Sequence, residues 1–357
     1  MIDKNNIISS VEDGILILRP KNIKVKRRIL FVMTYGMALV YRLWLKGLYP
    51  SNHLWGCLEL IQKGYEILLP EPVKVNNITR RFRIDLFPTK IALELLQPND
   101  IIYCAHNVLL WAPILKLAKI LKCKIVGQLY AREPLPFSIA YDGIIAHTLT
   151  AEKKAKKIWS KAAIKHIPWG MDLDFFKAYP YEPQWAMSCG KTFRDFQIIK
   201  SVYQNLTTTL KLIVAEKVEG LPPNVQVVDA KQYGDLIYPK LVHDFYRYCN
   251  VSLITIKSDE KKRHSIGLTN LFESMACARP VIATKTGALI DELDIHKEEF
   301  GIFIPPDDTD ALENTIKKLS QETEEAEQFG LRGRKLCENY YNMERYSSDL
   351  DNYFDTI

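Results

Sequence analysis

The chain has 357 residues, 47% of them hydrophobic and 25% charged, with 48 lysines and arginines against 42 aspartates and glutamates. That length favours two domains over one, and that balance excludes a disordered or fibrous chain. A net charge of +6 is mildly basic, and with no recognised nucleic-acid-binding motif beside it, no nucleic-acid partner is expected.

From the N-terminus onward, short apolar, β-branched runs alternate with longer helical patterns. The first half predicts strands over residues 29–34, 66–69, 101–104, 124–128 and 143–146, with helices over 111–121 and 150–160 among them. Residues 166–183 contain Pro168, Gly170, Pro180 and Pro183, a density of turn formers that reads as a linker. The second half repeats the rhythm, with strands predicted over 186–189, 211–214, 225–228, 251–256, 281–283 and 301–304. Continuous apolar strands alternating with helices imply parallel sheets covered on both faces, and two such series imply two α/β domains facing each other. Beyond residue 311 the chain reads as helix: residues 311–319, an acidic surface run at 322–327, and an aromatic-rich segment at 340–354 with rings to bury. The expected domains are 1–170 and 171–335, with a C-terminal helix over 336–357 packing back on the first.

No stretch reaches the roughly 18 apolar residues of a membrane span, and the polar segment 1–10 has no apolar signal core. The seven cysteines are scattered, odd in number and never spaced C-x-x-C. Neither a disulfide framework nor a zinc site is predicted, and a cytoplasmic location is expected. Basic charge concentrates in residues 21–28 and 153–161. These stretches read as solvated faces, or as contacts for an anionic membrane surface or a polyanionic acceptor. Residues 41–49 mix aromatics, aliphatics and cations, which suits an amphipathic helix packed on the core or a peripheral membrane or lipid-acceptor contact.

The most informative stretch is Gly267-Leu-Thr-Asn-Leu-Phe-Glu-Ser-Met-Ala-Cys-Ala-Arg-Pro-Val-Ile-Ala-Thr284. It predicts a turn, a short helix from about Asn270, and a buried strand. The loop opening that helix presents free backbone N–H groups and a positive dipole end, which suit a diphosphate. Glu273, one turn in, lies where a carboxylate could accept hydrogen bonds from two vicinal ribose hydroxyls. The same residues also have a ligand-free reading, because Asn270 and Glu273 three positions apart form a capping-box pattern.

The segment from Phe272 to Thr284, followed by Gly287, Glu292 and Gly301-Ile-Phe-Ile-Pro-Pro-Asp-Asp308, resembles the signature of retaining family-4 glycosyltransferases, roughly "LEAMACGKPVIAT…G…E…G…PP.D". His166-Ile-Pro-Trp-Gly-Met-Asp-Leu-Asp-Phe-Phe176 resembles the interdomain segment of that family, and Ser188-Cys-Gly-Lys-Thr-Phe-Arg-Asp195 its glycine-and-basic loop. The resemblance covers about residues 160–310. It implies a GT-B fold, with two Rossmann-like domains and the nucleotide-sugar donor in the C-terminal one. Glu273 would bind the donor ribose and the backbone at Leu268 and Thr269 the diphosphate, with Asn270 beside them. Gly190, Lys191 and Arg194 would form the first donor-domain loop, its two cations neutralising charge on the leaving nucleotide. A solvated basic turn is the alternative for Lys191 and Arg194. The base would lie near residues 229–231. The implied activity is transfer of a sugar to an acceptor hydroxyl on a glycan or lipid-linked acceptor, with retention and without a metal or cofactor, in polysaccharide or glycolipid synthesis.

The sequence also departs from that pattern. Eight positions before Glu273, where the family usually carries a first glutamate, stands Ser265. The loop Thr34-Tyr-Gly-Met-Ala-Leu holds a single glycine, and Gln128-Leu-Tyr-Ala-Arg132 lacks the family's histidine. His106 is the nearest substitute for that catalytic group, with a structural or surface histidine as the alternative; Tyr130, Arg132 and Glu133 are candidate acceptor-side groups. These gaps keep two rivals open, a catalytically silent nucleotide-sugar-binding partner and a nucleotide-sugar epimerase of the same fold. Asp172-Leu-Asp174 looks like a metal-binding triplet, but Asp349-Leu-Asp351 repeats it near the C-terminus. Capping is the expected role of the first copy.

Overall fold

Each series of apolar runs becomes one sheet. The computed structural model describes residues 2–71, 86–105, 108–129, 139–159, 161–190, 194–214, 217–230, 238–257, 266–286, 289 and 300–357. The chain divides into two units: Met1–Gly47 with Ser51–Gly170 and Met343–Ile357, and Leu48–Pro50 with Met171–Asn342.

In the first unit, β1 (Ile7–Glu12), β2 (Ile15–Pro20), β3 (Arg27–Val32), β4 (Tyr65–Pro70), β5 (Ile101–Ala105), β6 (Lys124–Leu129), β7 (Gly143–Ala146) and β8 (Ala163–His166) form an eight-stranded sheet ordered β1-β2-β4-β3-β5-β6-β7-β8. It is parallel from β4 to β8. The all-parallel expectation is corrected at one edge, where β1 and β2 form an antiparallel hairpin and β2 runs antiparallel to β4. The hairpin turns at Asp13-Gly14 with φ of 47° and 76°, the two-residue turn whose twist suits antiparallel strands. Of the pair, β1 is a largely exposed edge strand without a buried run, whereas β2 has one at Ile15–Leu18 and lies outside the predicted strands. Strand β8 likewise carries no buried run and falls between the predicted helix 150–160 and the predicted linker, which begins at its last residue. The unit's helices are α1 (Met37–Leu45), α2 (Cys57–Gln62), α3 (Leu86–Leu95), α4 (Trp111–Leu117) and α5 (Leu149–Ile158). Helix α4 stops short of the predicted residue 121 because Lys119 turns left-handed (φ 61°). On one face of the sheet, Ile91, Ala112, Ala151 and Ala155 of α3, α4 and α5 pack on Leu30, Ile102, Ile125 and Ile144.

In the second unit, β9 (Trp185–Cys189), β10 (Leu210–Val214), β11 (Val225–Asp229), β12 (Cys249–Ile254), β13 (Val281–Thr284) and β14 (Gly301–Ile304) form an entirely parallel sheet ordered β11-β10-β9-β12-β13-β14. Its helices are α6 (Phe196–Tyr203), α7 (Tyr238–Tyr246), α8 (Leu268–Ala276), α9 (Thr309–Gln321) and α10 (Thr323–Tyr340). From the middle of the sheet, β9–α6–β10 steps one way and β12–α8–β13 the other. Right-handed crossovers therefore put α6 and α8 on opposite faces and part the chain above the carboxyl ends of β9 and β12. That parting is where open α/β sheets bind ligands.

The last helix, α11 (Met343–Phe354), belongs to the first unit. Tyr346, Leu350, Tyr353 and Phe354 are buried there. Tyr346 Oη lies 3.0 Å from Tyr103 Oη, and Asp351 takes Lys26 Nζ at 2.7 Å and Tyr65 Oη at 2.8 Å. The C-terminal helix thus docks back on the first sheet, where its aromatic face finds apolar partners.

Of the three candidate membrane-facing segments, residues 41–49 are used internally and residues 21–28 only in part, since Lys21 and Lys24 stay exposed. Tyr41 and Trp44 are buried, so the apolar face of residues 41–49 is core. In the 21–28 stretch, Lys26 pairs with Asp351, Arg28 Nε with Glu66 at 2.8 Å, and Arg27 donates to the Phe354 carbonyl at 2.5 Å. Among the described residues no helix is long and apolar enough to cross a membrane.

Candidate donor site

The loop after β9 and the start of α8 converge at the parting of the second sheet. Asp195 caps α6 by accepting the N–H groups of Gln197 (3.0 Å) and Ile198 (3.2 Å). Its own N–H donates to the Thr255 carbonyl at 3.0 Å, and Thr255 Oγ1 donates to the Asp195 carbonyl at 3.2 Å. These bonds stitch the loop after β9 to the chain leaving β12.

Inside that stitch, Arg194 is only 6% exposed. Its Nε donates to the Cys189 carbonyl at 3.0 Å, and its Nη2 forms a short hydrogen bond to Asn270 Oδ1. The solvated-turn reading is therefore corrected for Arg194: the guanidinium lies over Gly190, whose missing Cβ leaves the room. A Cβ there would stand 2.5–2.8 Å from the guanidinium atoms, and Gly190 has φ +124°. Gly190→Ala is expected to lower the unfolding free energy by roughly 1–3 kcal/mol, as measured by denaturant titration.

Helix α8 begins two residues earlier than predicted. Gly267, in the left-handed region at φ 87°, is its N-cap and offers no side-chain cap. Asn270 is therefore the third helical residue, and the capping-box reading of Asn270 and Glu273 is corrected. The first bond within the helix runs from Leu271 N–H to the Gly267 carbonyl at 3.0 Å. The N–H groups of Leu268 and Thr269 precede this ladder and point out of the helix start. Released from capping, Asn270 spends its amide on the network: Nδ2 donates to Cys189 Sγ at 2.8 Å and lies 3.4 Å from Glu273 Oε2.

Glu273 is 3% exposed. Burial pushes its carboxyl up to about 8, and the pull of Asn270, Tyr246 and the Arg194 charge only partly opposes that rise. Tyr246 Oη, from the end of α7, sits 3.5 Å from Glu273 Oε2, 3.4 Å from the Asn270 carbonyl and 3.6 Å from Cys189 Sγ. Both contacts to the carboxylate are long for hydrogen bonds, so Glu273 retains capacity to accept stronger donors.

The structure thus brings together Gly190, Arg194, Asn270 and Glu273, and sets Leu268 and Thr269 at the helix start beside them. Lys191, His106, Tyr130, Arg132, Glu133, Ser265, Gly287, Glu292 and Lys231 lie outside the described residues. Asp229 ends β11, the outermost strand of the sheet. Asp172 accepts the N–H groups of Asp174 (3.1 Å) and Phe175 (2.9 Å), so it closes a turn. Cys189 and Tyr246 escaped the sequence reading. The position of Cys189 against Gly190 at a strand end was the available signal, and nothing local marks Tyr246.

Residues 208–322, from just before β10 to the end of α9, match the family model described as glycosyl transferases group 1. No curated protein matches the chain. Among solved structures, sucrose-phosphate synthase from Thermosynechococcus elongatus is 14% identical with a TM-score of 0.66, over 93% of this chain and 99% of that one. HepE from Anabaena, solved with UDP-glucose, is 16% identical with a TM-score of 0.62, over 92% and 100%. A UDP-forming α,α-trehalose-phosphate synthase from Burkholderia vietnamiensis is 11% identical with a TM-score of 0.62, over 93% and 100%. The chain thus has a GT-B fold, and its residues 208–322 match the glycosyl transferases group 1 model.

Proposed function

We propose that the chain moves a sugar from a nucleotide-sugar donor to an acceptor hydroxyl with retention of configuration, as a family-4 enzyme. The buried Glu273, held at the start of α8 beside an uncapped helix end and a buried arginine, carries this reading. Its carboxylate would accept the two ribose hydroxyls, and the Leu268 and Thr269 N–H groups would receive the diphosphate. Arg194, with Lys191, would oppose the charge that grows on the diphosphate as the glycosidic bond breaks. Two cations and a helix N-terminus supply that positive charge from the protein itself, so the proposal needs no metal. The donor's phosphate oxygen could then take the acceptor proton, which makes an enzymic base dispensable; His106 is the candidate if one acts.

Because HepE was solved with UDP-glucose and the trehalose-phosphate synthase is UDP-forming, a UDP-sugar is the first donor to try. A glycan or lipid-linked acceptor, and a role in polysaccharide or glycolipid assembly, complete the reading. All seven cysteines are buried thiols outside any disulfide, which supports a reducing, cytoplasmic setting.

Thermal unfolding with UDP-, GDP- and ADP-glucose tests the donor assignment. A donor at about 100 times its Kd should stabilise the protein by roughly 2.7 kcal/mol. Failure of all three to shift the transition would overturn the donor-site reading. The missing first glutamate favours one rival, a silent binder, which predicts stabilisation by a donor but no turnover with any acceptor.

A further inference from the structure

We propose that the amino-terminal edge of β6, β7 and β8 docks on an anionic lipid bilayer. This inference stands apart from the donor site, which lies in the other unit.

In parallel β–α–β connections the helix carries the chain back to the starting edge of the sheet. The last turns of α4 and α5 therefore meet the first residues of β6, β7 and β8. Asp142 ties them together. Its carboxylate holds Lys116 Nζ from α4 at 3.0 Å and accepts the Ile125 N–H at 2.7 Å, while its carbonyl accepts the Ala163 N–H at 2.9 Å.

Around this hub four aliphatic side chains face solvent: Leu117 is 51% exposed, Ile120 58%, Ile139 60% and Ile158 46%. Ile120 follows the left-handed Lys119, and its N–H closes the helix end on the Leu115 carbonyl at 2.9 Å. The residue in that position commonly packs back on the helix; here it points away.

In the two segments that carry Leu117, Ile120 and Ile158 the charge is of one sign. Residues 116–124 carry four lysines and no acid, and residues 153–165 carry six lysines and no acid. The nearby acids are already engaged, Asp142 by Lys116 and Glu152 by Lys156 at 3.0 Å. Lys119, Lys122, Lys157 and Lys161 are exposed and have no acidic partner among the described residues. Exposed aliphatics ringed by long cationic side chains suit a bilayer. The aliphatics enter the acyl boundary while the lysine stems lie along it and their ammonium groups meet anionic headgroups. A second copy of the chain would bring the same positive ring against itself. A single-stranded nucleic acid would find aliphatic side chains in place of aromatic stacking platforms.

Flotation of the full-length protein with vesicles tests the proposal. The wild type should rise with phosphatidylglycerol–phosphatidylcholine vesicles and stay behind with phosphatidylcholine alone. An Ile120→Glu/Ile158→Glu variant, and separately a Lys119→Glu/Lys122→Glu/Lys157→Glu/Lys161→Glu variant, should each bind at least about tenfold more weakly while keeping the wild-type melting transition. A wild type that ignores anionic vesicles overturns the proposal. So does loss of binding in the lysine variant alone, which marks a polyanion site with no insertion. Concentration-dependent dimers, abolished by the isoleucine changes without any vesicle binding, would assign the face to a second copy instead.

Discussion

Glu273→Gln is expected to weaken donor binding roughly 100-fold, about 2.7 kcal/mol, with the fold intact. A carboxylate accepting two hydroxyls forms charge-assisted hydrogen bonds, each contributing about 1.5–3 kcal/mol. Glutamine keeps the shape but presents one neutral acceptor. Calorimetric titration with the stabilising donor checks this, and unchanged affinity would remove Glu273 from the site. The pH dependence is a second readout. Burial holds the free carboxyl at about 8, so donor binding through the carboxylate must release its proton at lower pH. Wild-type affinity should therefore rise by up to about tenfold per pH unit from 6 to 8 and level off above, whereas Glu273→Gln should be flat.

The same shift affects stability. The native carboxyl keeps its proton up to about 8, whereas the ordinary value is 4.5. Between those values the native state binds more protons than the unfolded one, so stability falls as pH rises through the window. The slope is at most about 1.4 kcal/mol per pH unit from this group. Glu273→Gln should remove it, so urea midpoints of the variant at pH 5 and pH 8 should lie closer together than those of the wild type.

Phe354→Ala is expected to cost about 3–5 kcal/mol of unfolding free energy in the first unit, as removal of a fully buried aromatic does. Phe354 is completely buried near the end of α11 and packs edge-on to Tyr103 at 5.6 Å and Tyr65 at 6.3 Å. Every residue assigned to the donor lies in the other unit. The variant should therefore unfold at lower denaturant while its donor affinity, measured well below that transition, stays at the wild-type value. A parallel loss of donor affinity would contradict the assignment of the whole donor site to residues 171–342.

Much of this architecture can be read without coordinates. Continuous apolar strands between helices must be buried on both faces, which already requires parallel α/β sheets. The stretch from Gly267 to Thr284 marks the proposed donor site because a helix start, a carboxylate one turn later and a buried strand are all local features. The hairpin β1–β2 was legible only in part, since β1, exposed to water at the sheet edge, carries no buried run, whereas Ile15–Leu18 of β2 form one.

What the sequence by itself determined is therefore the class of fold and, as candidates, the donor segment with Glu273 and Arg194. Only the tertiary structure decided which groups surround them. Cys189, Tyr246 and Asn270 meet only because the end of β9 and the start of α8 converge at the parting of the sheet and the side chain of Tyr246, at the end of α7, reaches both. The structure also separated three basic or amphipathic stretches that look alike in sequence. Lys26 and Arg27 are claimed by Asp351 and Phe354, more than 300 residues away along the chain, and Tyr41 and Trp44 by the core, whereas Lys21 and Lys24, like the lysines around Ile120 and Ile158, remain in water. Charge and hydrophobic pattern are local properties of a sequence; burial depends on which distant segment comes to cover it.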